Sequence, residues 1–305
     1  MKLKSILRPL AFIAAILALS SFLEGRAQGT GVVRMTGVRF AYPLVEHWID
    51  EYSKLNPDVQ IVIEWRGTQD PLQCDILVEA YEYSEEIKKE RDYTYIGRYA
   101  ILPVANSSSD FAKTYVTKGL TTQTIKQIFF HDIFADKDKE QKITAPFTTY
   151  TRLQKAGSPI VFAHYFKYEQ KDITGKGIAG SDEHLLKAVL RDSTAVSFLP
   201  TPVIYAKSNG TGVHGLTVIP VDLNGNDRIG DDEKFYDSWS KVTERLTGAN
   251  GKDIRNVPIE YIHFSVDKKS ARPEALAFIR WVVDNGLDDV ADFGFLPSDR
   301  IGKQP

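Results

Sequence analysis

One arginine and one short loop carry the chemistry that this chain could do with an anion. Residues 148–166 read TTYTRLQKAGSPIVFAHYF. β-Branched and aromatic residues lead into Arg152, and Ala156, Gly157, Ser158 and Pro159 then precede apolar residues at helical spacing. The pattern predicts a strand end, a tight loop and a helix start. Ser158 is expected as the cap and Pro159 at the first helical position, where a missing N–H costs nothing. A helix start gathers unpaired backbone N–H groups and the positive end of the helix dipole at one spot. Arg152 would add charge and a bidentate fork beside it. The plainer alternative is an ordinary capped core helix.

A second stretch carries hard oxygen ligands. Asp222, Asn224, Asn226 and Glu233 stand at the first, third, fifth and twelfth places of DLNGNDRIGDDE. That spacing resembles the calcium loop of EF-hand proteins, with Arg228 lending its backbone carbonyl. The sharp-turn place holds Asp227 where the pattern has glycine. Two carboxylates would give a weak site, with a dissociation constant of ~10⁻⁴–10⁻³ M. Such an ion would be structural, and no catalytic cofactor is expected. A polar hairpin without metal is the alternative.

Other reactive residue types form no convincing constellation. Ser158, His164 and Asp182 are the residue types of a hydrolase triad, but no nucleophile-elbow motif surrounds the serine. Ser158 and His164 also share one predicted helix, which denies them triad geometry. The chain is therefore not expected to be an enzyme. The six histidines show no metal-ligand spacing. Cys74 is the one cysteine, set in an apolar run, so no intramolecular disulfide forms and a buried, inert thiol is expected.

The elements that must position these residues can be read from 305 residues of ordinary globular composition, with a formal net charge of −2. The balance argues against a nucleic-acid surface. Lys2, Lys4 and Arg8 precede an apolar run to Leu23, followed by Gly25, Arg26 and Ala27. Residues 1–27 read as a cleaved secretory signal peptide, too short for a comfortable membrane span and without a lipid-attachment cysteine. A periplasmic or secreted protein is expected, acting as a monomer. Val32 to Phe40 reads as the first strand, and the apolar stripe from Leu44 to Leu55 as a helix with Pro43 in its first turn. Strands follow at 59–65 and 75–79, so the mature chain opens as a β-α-β unit of an α/β fold. A charged surface helix is expected over 81–92. Ile96 to Val104 reads as a central strand, apolar on both faces. Helices are predicted over 122–130, 182–191, 233–246 and 273–285, with Gly286 as the last C-cap.

The order of these segments resembles a family. GVRFAYPLVEHWIDEYSKLNPDVQIVIE, GLTTQTIKQIF and RLQKAGSPIVFAHYF are similar to segments of the phosphate-binding proteins of bacterial phosphate ABC importers. The resemblance covers most of residues 32–205. It implies a two-lobed periplasmic-binding-protein fold in which each lobe is a mixed, mostly parallel sheet flanked by helices, joined by two crossover strands. Lobe 1 would be 28–104 plus 205–305, and lobe 2 would be 105–204. It further implies an oxyanion, foremost phosphate, held in the interlobe cleft and delivered to an ABC permease. Arg152 falls on the family's ligand arginine, Gly157 and Ser158 on its Gly-Thr pair, and Asp75 on its acidic strand residue. Val38 and Arg39, followed by Phe40, replace a Ser/Thr pair, and Ala156 stands where a ligand serine belongs. Several hydroxyl donors are therefore missing, for which Arg39 would have to compensate with charge. A second reading keeps the fold with an altered or lost site, as a partner-binding module stabilised by calcium.

Overall fold

The structure is a computed structural model, and it describes residues 31–64, 73–81, 85–131, 143–205, 210–247 and 254–300. The expected signal peptide lies outside the described residues.

β1 (Val32–Gly37) buries Val33 and Met35 and leads through a 3-10 turn, Arg39–Ala41, into α1 (Tyr42–Leu55). Pro43 sits in the first turn of α1 as expected, and the apolar stripe buries Leu44, Val45, Trp48 and Tyr52. β2 (Gln60–Ile63) and β3 (Ile76–Glu79) both pair parallel with β1, which completes the expected β-α-β start. The surface helix shrinks to α2 (Glu85–Glu90), because the chain is already strand at Arg91.

β4 (Arg91–Asn106) is 16 residues long and contains the expected central strand. Its first residues look too polar for a sheet interior, yet Arg91 is buried. Its Nε donates to Ser265 Oγ at 2.9 Å and its Nη2 to the Ser265 carbonyl at 3.0 Å, which removes most of the burial cost. Next come α3 (Asp110–Lys118) and α4 (Thr122–Phe129), whose first turns are capped by Ser109 and Thr121. β5 (Thr148–Arg152), α5 (Gly157–Tyr165), β6 (Lys176–Ile178), α6 (Asp182–Arg191), β7 (Ala195–Pro200) and α7 (Thr201–Tyr205) follow. β8 (Leu216–Val218), α8 (Trp239–Thr247), β9 (Ile259–Asp267) and α9 (Pro273–Trp281) complete the described chain with further short turns of helix.

The strands join in the order β2-β1-β3-β9-β4-β7-β5-β6, with β8 also on β4. Pairing is parallel toward both ends and antiparallel around β4 and β9. β4 changes partner midway: Arg91 to Ala100 pair with β9, whereas Ile101 to Ala105 pair with β7. At the change the Ile101 N–H donates to the Pro258 carbonyl at 2.9 Å, just before β9 begins. β4 and the run into β9 are thus the two places where the chain crosses between lobes. Aromatic cores lie on either side, Trp48, Phe264 and Phe278 in the first lobe and Phe129, Phe162 and Phe198 in the second.

Part of the chain after residue 205 pairs with the second lobe. β8 bonds to Val104–Asn106, Leu120 bridges Val221, and the Arg255 N–H donates to the Leu223 carbonyl. Described residues 216–223 and 254–256 therefore pack with the second lobe, although the resemblance implies the first for 205–305. α8 also reaches the first lobe: Trp239 Nε1 donates to the Ala291 carbonyl at 2.7 Å, and Arg98 Nη2 donates to the Thr247 carbonyl at 3.0 Å. The last helix also differs. It leaves α geometry at Trp281 for a π turn over Val282–Gly286. Trp48 Nε1 donates to the Gly286 carbonyl at 2.9 Å, and a Cβ on Gly286 would meet that nitrogen at 2.6 Å. Contact with the indole, more than capping, explains this glycine.

Candidate anion-binding site

Four segments from both lobes line a cavity of about 500 Å³. The first-lobe wall is the turn after β1 (Thr36 to Phe40) and the end of β3 (Leu77 to Tyr81). The second-lobe wall is the β5–α5 loop and the start of α6, with Gly180 and Asp182. Gly37 allows the first wall to form. It has φ +152°, and a Cβ there would lie 1.9 Å from the Val78 carbonyl oxygen. The Val38 N–H donates to that same carbonyl at 2.9 Å, which ties the turn to β3.

Arg39 lines the cavity, half-buried, and its side chain has no hydrogen-bond or ion-pair partner among the described residues. Lys155 lines it as well, exposed and likewise without a partner among them. The sequence pattern does not single out Lys155, although it stands between Arg152 and Gly157 in the expected loop. Phe40 touches the cavity but is buried, with its ring 5.0 Å from that of Tyr99 and 6.1 Å from that of Phe295, so its main work is packing.

α5 begins at Gly157, and its N-cap is Ala156, which offers no side-chain acceptor. Ser158 is therefore not the cap, and Pro159 is the third helical residue and not the first. Proline is tolerated there because none of the first four N–H groups has an intrahelical partner. Gly157 packs on the opposite lobe: a Cβ on it would lie 3.3 Å from Ala80 Cβ and 3.6 Å from Val38 Cγ1. The lobes are thus in contact at the uncapped first turn.

Arg152 faces the cavity with its charge already partnered. Its Nη1 donates to Asp182 Oδ2 at 2.9 Å, its Nη2 donates to the Gly180 carbonyl, and its Nε is buried without a partner. Ser158 donates its hydroxyl to Asp182 Oδ1 at 2.6 Å and does not line the cavity. Burial pushes the Asp182 carboxyl above the usual aspartate range, against the pull of Arg152 and the Ser158 hydrogen bond. In the sequence Asp182 stands out only as a member of an unworkable triad. Nothing in the residue pattern links it to an arginine 30 positions earlier.

Asp75 does not reach the site. It precedes β3, accepts the Arg34 N–H at 2.8 Å and lies 3.9 Å from Arg272 Nη1, at the end of the strand away from the cavity. The acidic residue at the cavity end is Glu79, whose Oε2 accepts from Ser265 Oγ at 2.6 Å. The triad geometry is also absent. Ser158 meets Asp182 with no imidazole between them, and His164 pairs instead with Glu169 at 3.3 Å. Cys74 is buried, and burial pushes its thiol up, as expected of an inert cysteine.

The calcium-like loop folds around its own backbone. Asp222 is buried and accepts from the N–H groups of Gly225, Asn226 and Asp227 at 2.6, 3.2 and 2.8 Å. Glu233, also buried, accepts from Leu223 and Gly230, while Asn224 and Asn226 accept from Asn226 and Arg228. Asp227 takes the left-handed conformation, φ +61°, that glycine usually supplies at this place. Among the described residues no three His, Cys, Asp or Glu side chains gather as a metal set. No helix among them is long and apolar enough to cross a membrane.

No family model matches the sequence, and no curated protein matches it either. Solved structures do match in shape. A phosphate ABC transporter substrate-binding protein of Clostridium perfringens, solved with phosphate bound, superposes with a TM-score of 0.65 at 15% identity, over 88% of this chain and 100% of that one. The fold is that of a two-lobed periplasmic binding protein. An ABC-type phosphate transport receptor of Vibrio cholerae gives a TM-score of 0.59 at 10% identity, over 88% of this chain and 100% of that one. A full-length OxyR variant of Pseudomonas aeruginosa gives 0.51 at 12% identity, over 95% of this chain and 75% of that one. The fold thus occurs in transport and in other proteins, and function has to be argued from the site.

Proposed function

We propose that this chain is an exported solute-binding protein that takes a phosphate-like oxyanion into the cleft between its lobes. One observation carries the reading. Arg39 and Lys155, both without partners among the described residues, and the uncapped start of α5 all meet at one cavity, which Arg152 also lines. Unpaired cations and free backbone N–H groups on opposing lobes are what an anion needs to draw the lobes together. The chain would work as a periplasmic or secreted monomer. It would hand its ligand to an ABC permease and catalyse no reaction.

Isothermal titration of residues 28–305 with phosphate, sulfate and molybdate tests this. At least one anion should bind, and Arg39→Ala should weaken it by at least about tenfold, since a charged hydrogen bond contributes ~1.5–3 kcal/mol. Absence of binding by all three would end the reading. One observation favours a second reading, a binding-fold module that has given up its anion: Asp182 already occupies both Arg152 and Ser158.

We also propose a structural calcium ion for the loop 222–233. The left-handed Asp227 and the two buried carboxylates support it. Millimolar calcium should raise the melting temperature, and Glu233→Gln should abolish the rise. An unchanged melting temperature in the parent protein would leave the loop a metal-free turn.

A further inference from the structure

The anion cavity adjoins a larger one. The two share Tyr81, Arg152, Lys155 and Ile160, and the larger has a volume of about 1230 Å³. Inorganic phosphate would leave nearly all of that space empty, whereas pockets for organic ligands span ~300–1,000 Å³.

α5 forms one wall of this space, and it carries apolar residues on both faces, with His164 as a polar residue on the cavity side. Phe162 and Phe166 pack into the second-lobe core against Phe130, and Phe162 also against Phe129 and Phe198. On the other face Ile160, Val161 and Tyr165 line the large cavity, opposite Pro258 and Ile259 at the crossing between lobes. Leu153 stands largely exposed at its rim. A plain anion site needs no second apolar face on this helix. The same cavity holds two unused polar groups. Thr151 Oγ1 and Arg152 Nε are buried without hydrogen-bond partners, and both residues line it. Buried polar atoms left unpaired cost free energy that a ligand acceptor would recover.

We infer that the ligand is a phosphate monoester with an apolar body. The phosphoryl group sits by Arg39 and Lys155, and the body lies against Ile160, Val161 and Tyr165. The ester's remaining oxygens are the acceptors for Thr151 and Arg152 Nε. This rests on the oxyanion reading of the smaller cavity and adds to it the class of molecule that the phosphoryl group carries.

The test is isothermal titration of residues 28–305 with inorganic phosphate and with phenyl phosphate under one buffer and salt condition. Phenyl phosphate should bind at least about tenfold more tightly, from the apolar area that its ring buries. In Val161→Phe, which fills the larger cavity without adding charge, the ratio of the two affinities should fall toward one. Phosphate binding as well as or better than phenyl phosphate in the parent protein overturns the inference and leaves the oxyanion reading standing. Binding of neither overturns both. The comparison in the parent protein decides the matter even if Val161→Phe fails to fold.

Discussion

Replacing Asp182 with asparagine should strengthen anion binding and remove part of its pH dependence. The carboxylate lies 2.9 Å from Arg152 Nη1 and lines the same cavity as Arg39. When ionised it both neutralises Arg152 and repels an incoming anion. A unit charge about 4 Å away at an effective dielectric of about 20 is worth ~4 kcal/mol. Water in an open cavity roughly halves such a figure, which leaves an affinity gain of roughly 10- to 100-fold for Asp182→Asn. Asparagine keeps an oxygen to accept from Arg152, and its amide N–H can donate to Ser158 Oγ once that hydroxyl turns, so the fold should survive. The pH dependence has a definite sign. Burial holds the folded carboxyl above its ordinary value, so the folded state prefers the protonated form. That contribution to stability is complete below the unfolded aspartate pKa and is lost as pH rises through the raised folded value. Protonation also removes the repulsion, so sulfate, which stays a dianion across this range, should bind the parent protein more tightly as pH falls through the raised value. Asp182→Asn should bind sulfate tightly with no such rise. Calorimetric titrations of both proteins at several pH values measure this, and equal affinities with identical pH profiles would refute the assignment of Asp182 as the group that opposes the anion.

Other substitutions probe closure and the loop. Gly157→Ala adds a methyl 3.3 Å from Ala80 Cβ at the contact between lobes. It should hold the cleft slightly open, weaken anion binding several-fold and enlarge the anion-bound particle in small-angle scattering. Identical affinity and scattering would show that the lobes close elsewhere. Asp227→Gly relieves a left-handed backbone at φ +61° and should raise stability to urea by about 1 kcal/mol, the cost of that conformation for a residue with a side chain. A loss would mean that the Asp227 side chain does more than tolerate the turn. Asp222→Ala strips a buried acceptor from three backbone N–H groups and should lower stability by about 3 kcal/mol, at ~1 kcal/mol for each hydrogen bond, also read by urea unfolding.

Periodic signals in the sequence translate well into structure, and contacts across the fold do not. The stripe from Leu44 to Tyr52 and the doubly apolar run after Ile96 report burial directly, and both elements stand where expected. The loop from Arg152 to Gly157 is likewise legible as a strand end before a helix, and the structure brings Arg39, Arg152 and Gly157 to one cavity. The pairing of Arg152 with Asp182 is not legible, because it is made by the meeting of β5 with the start of α6. Ser158 misleads for a related reason. A serine before a proline looks like a cap, but the capping position goes to Ala156, and the hydroxyl goes to Asp182. Arg91 shows the same limit from the other side, since its charge hides a strand start that Ser265, far away in sequence, makes tolerable.

The change of partner along β4 bears on how the protein could be dissected. One half of this strand is stitched to β9 and the other to β7 and β8. Separating the lobes by cutting the gene near residue 101 would give each piece only part of its sheet and an open row of unpaired N–H and C=O groups. Such rows recruit other chains and seed aggregation. The two lobes are therefore not heritable as separate modules, and insertions or grafts belong in the surface loops, away from the strand that both halves share.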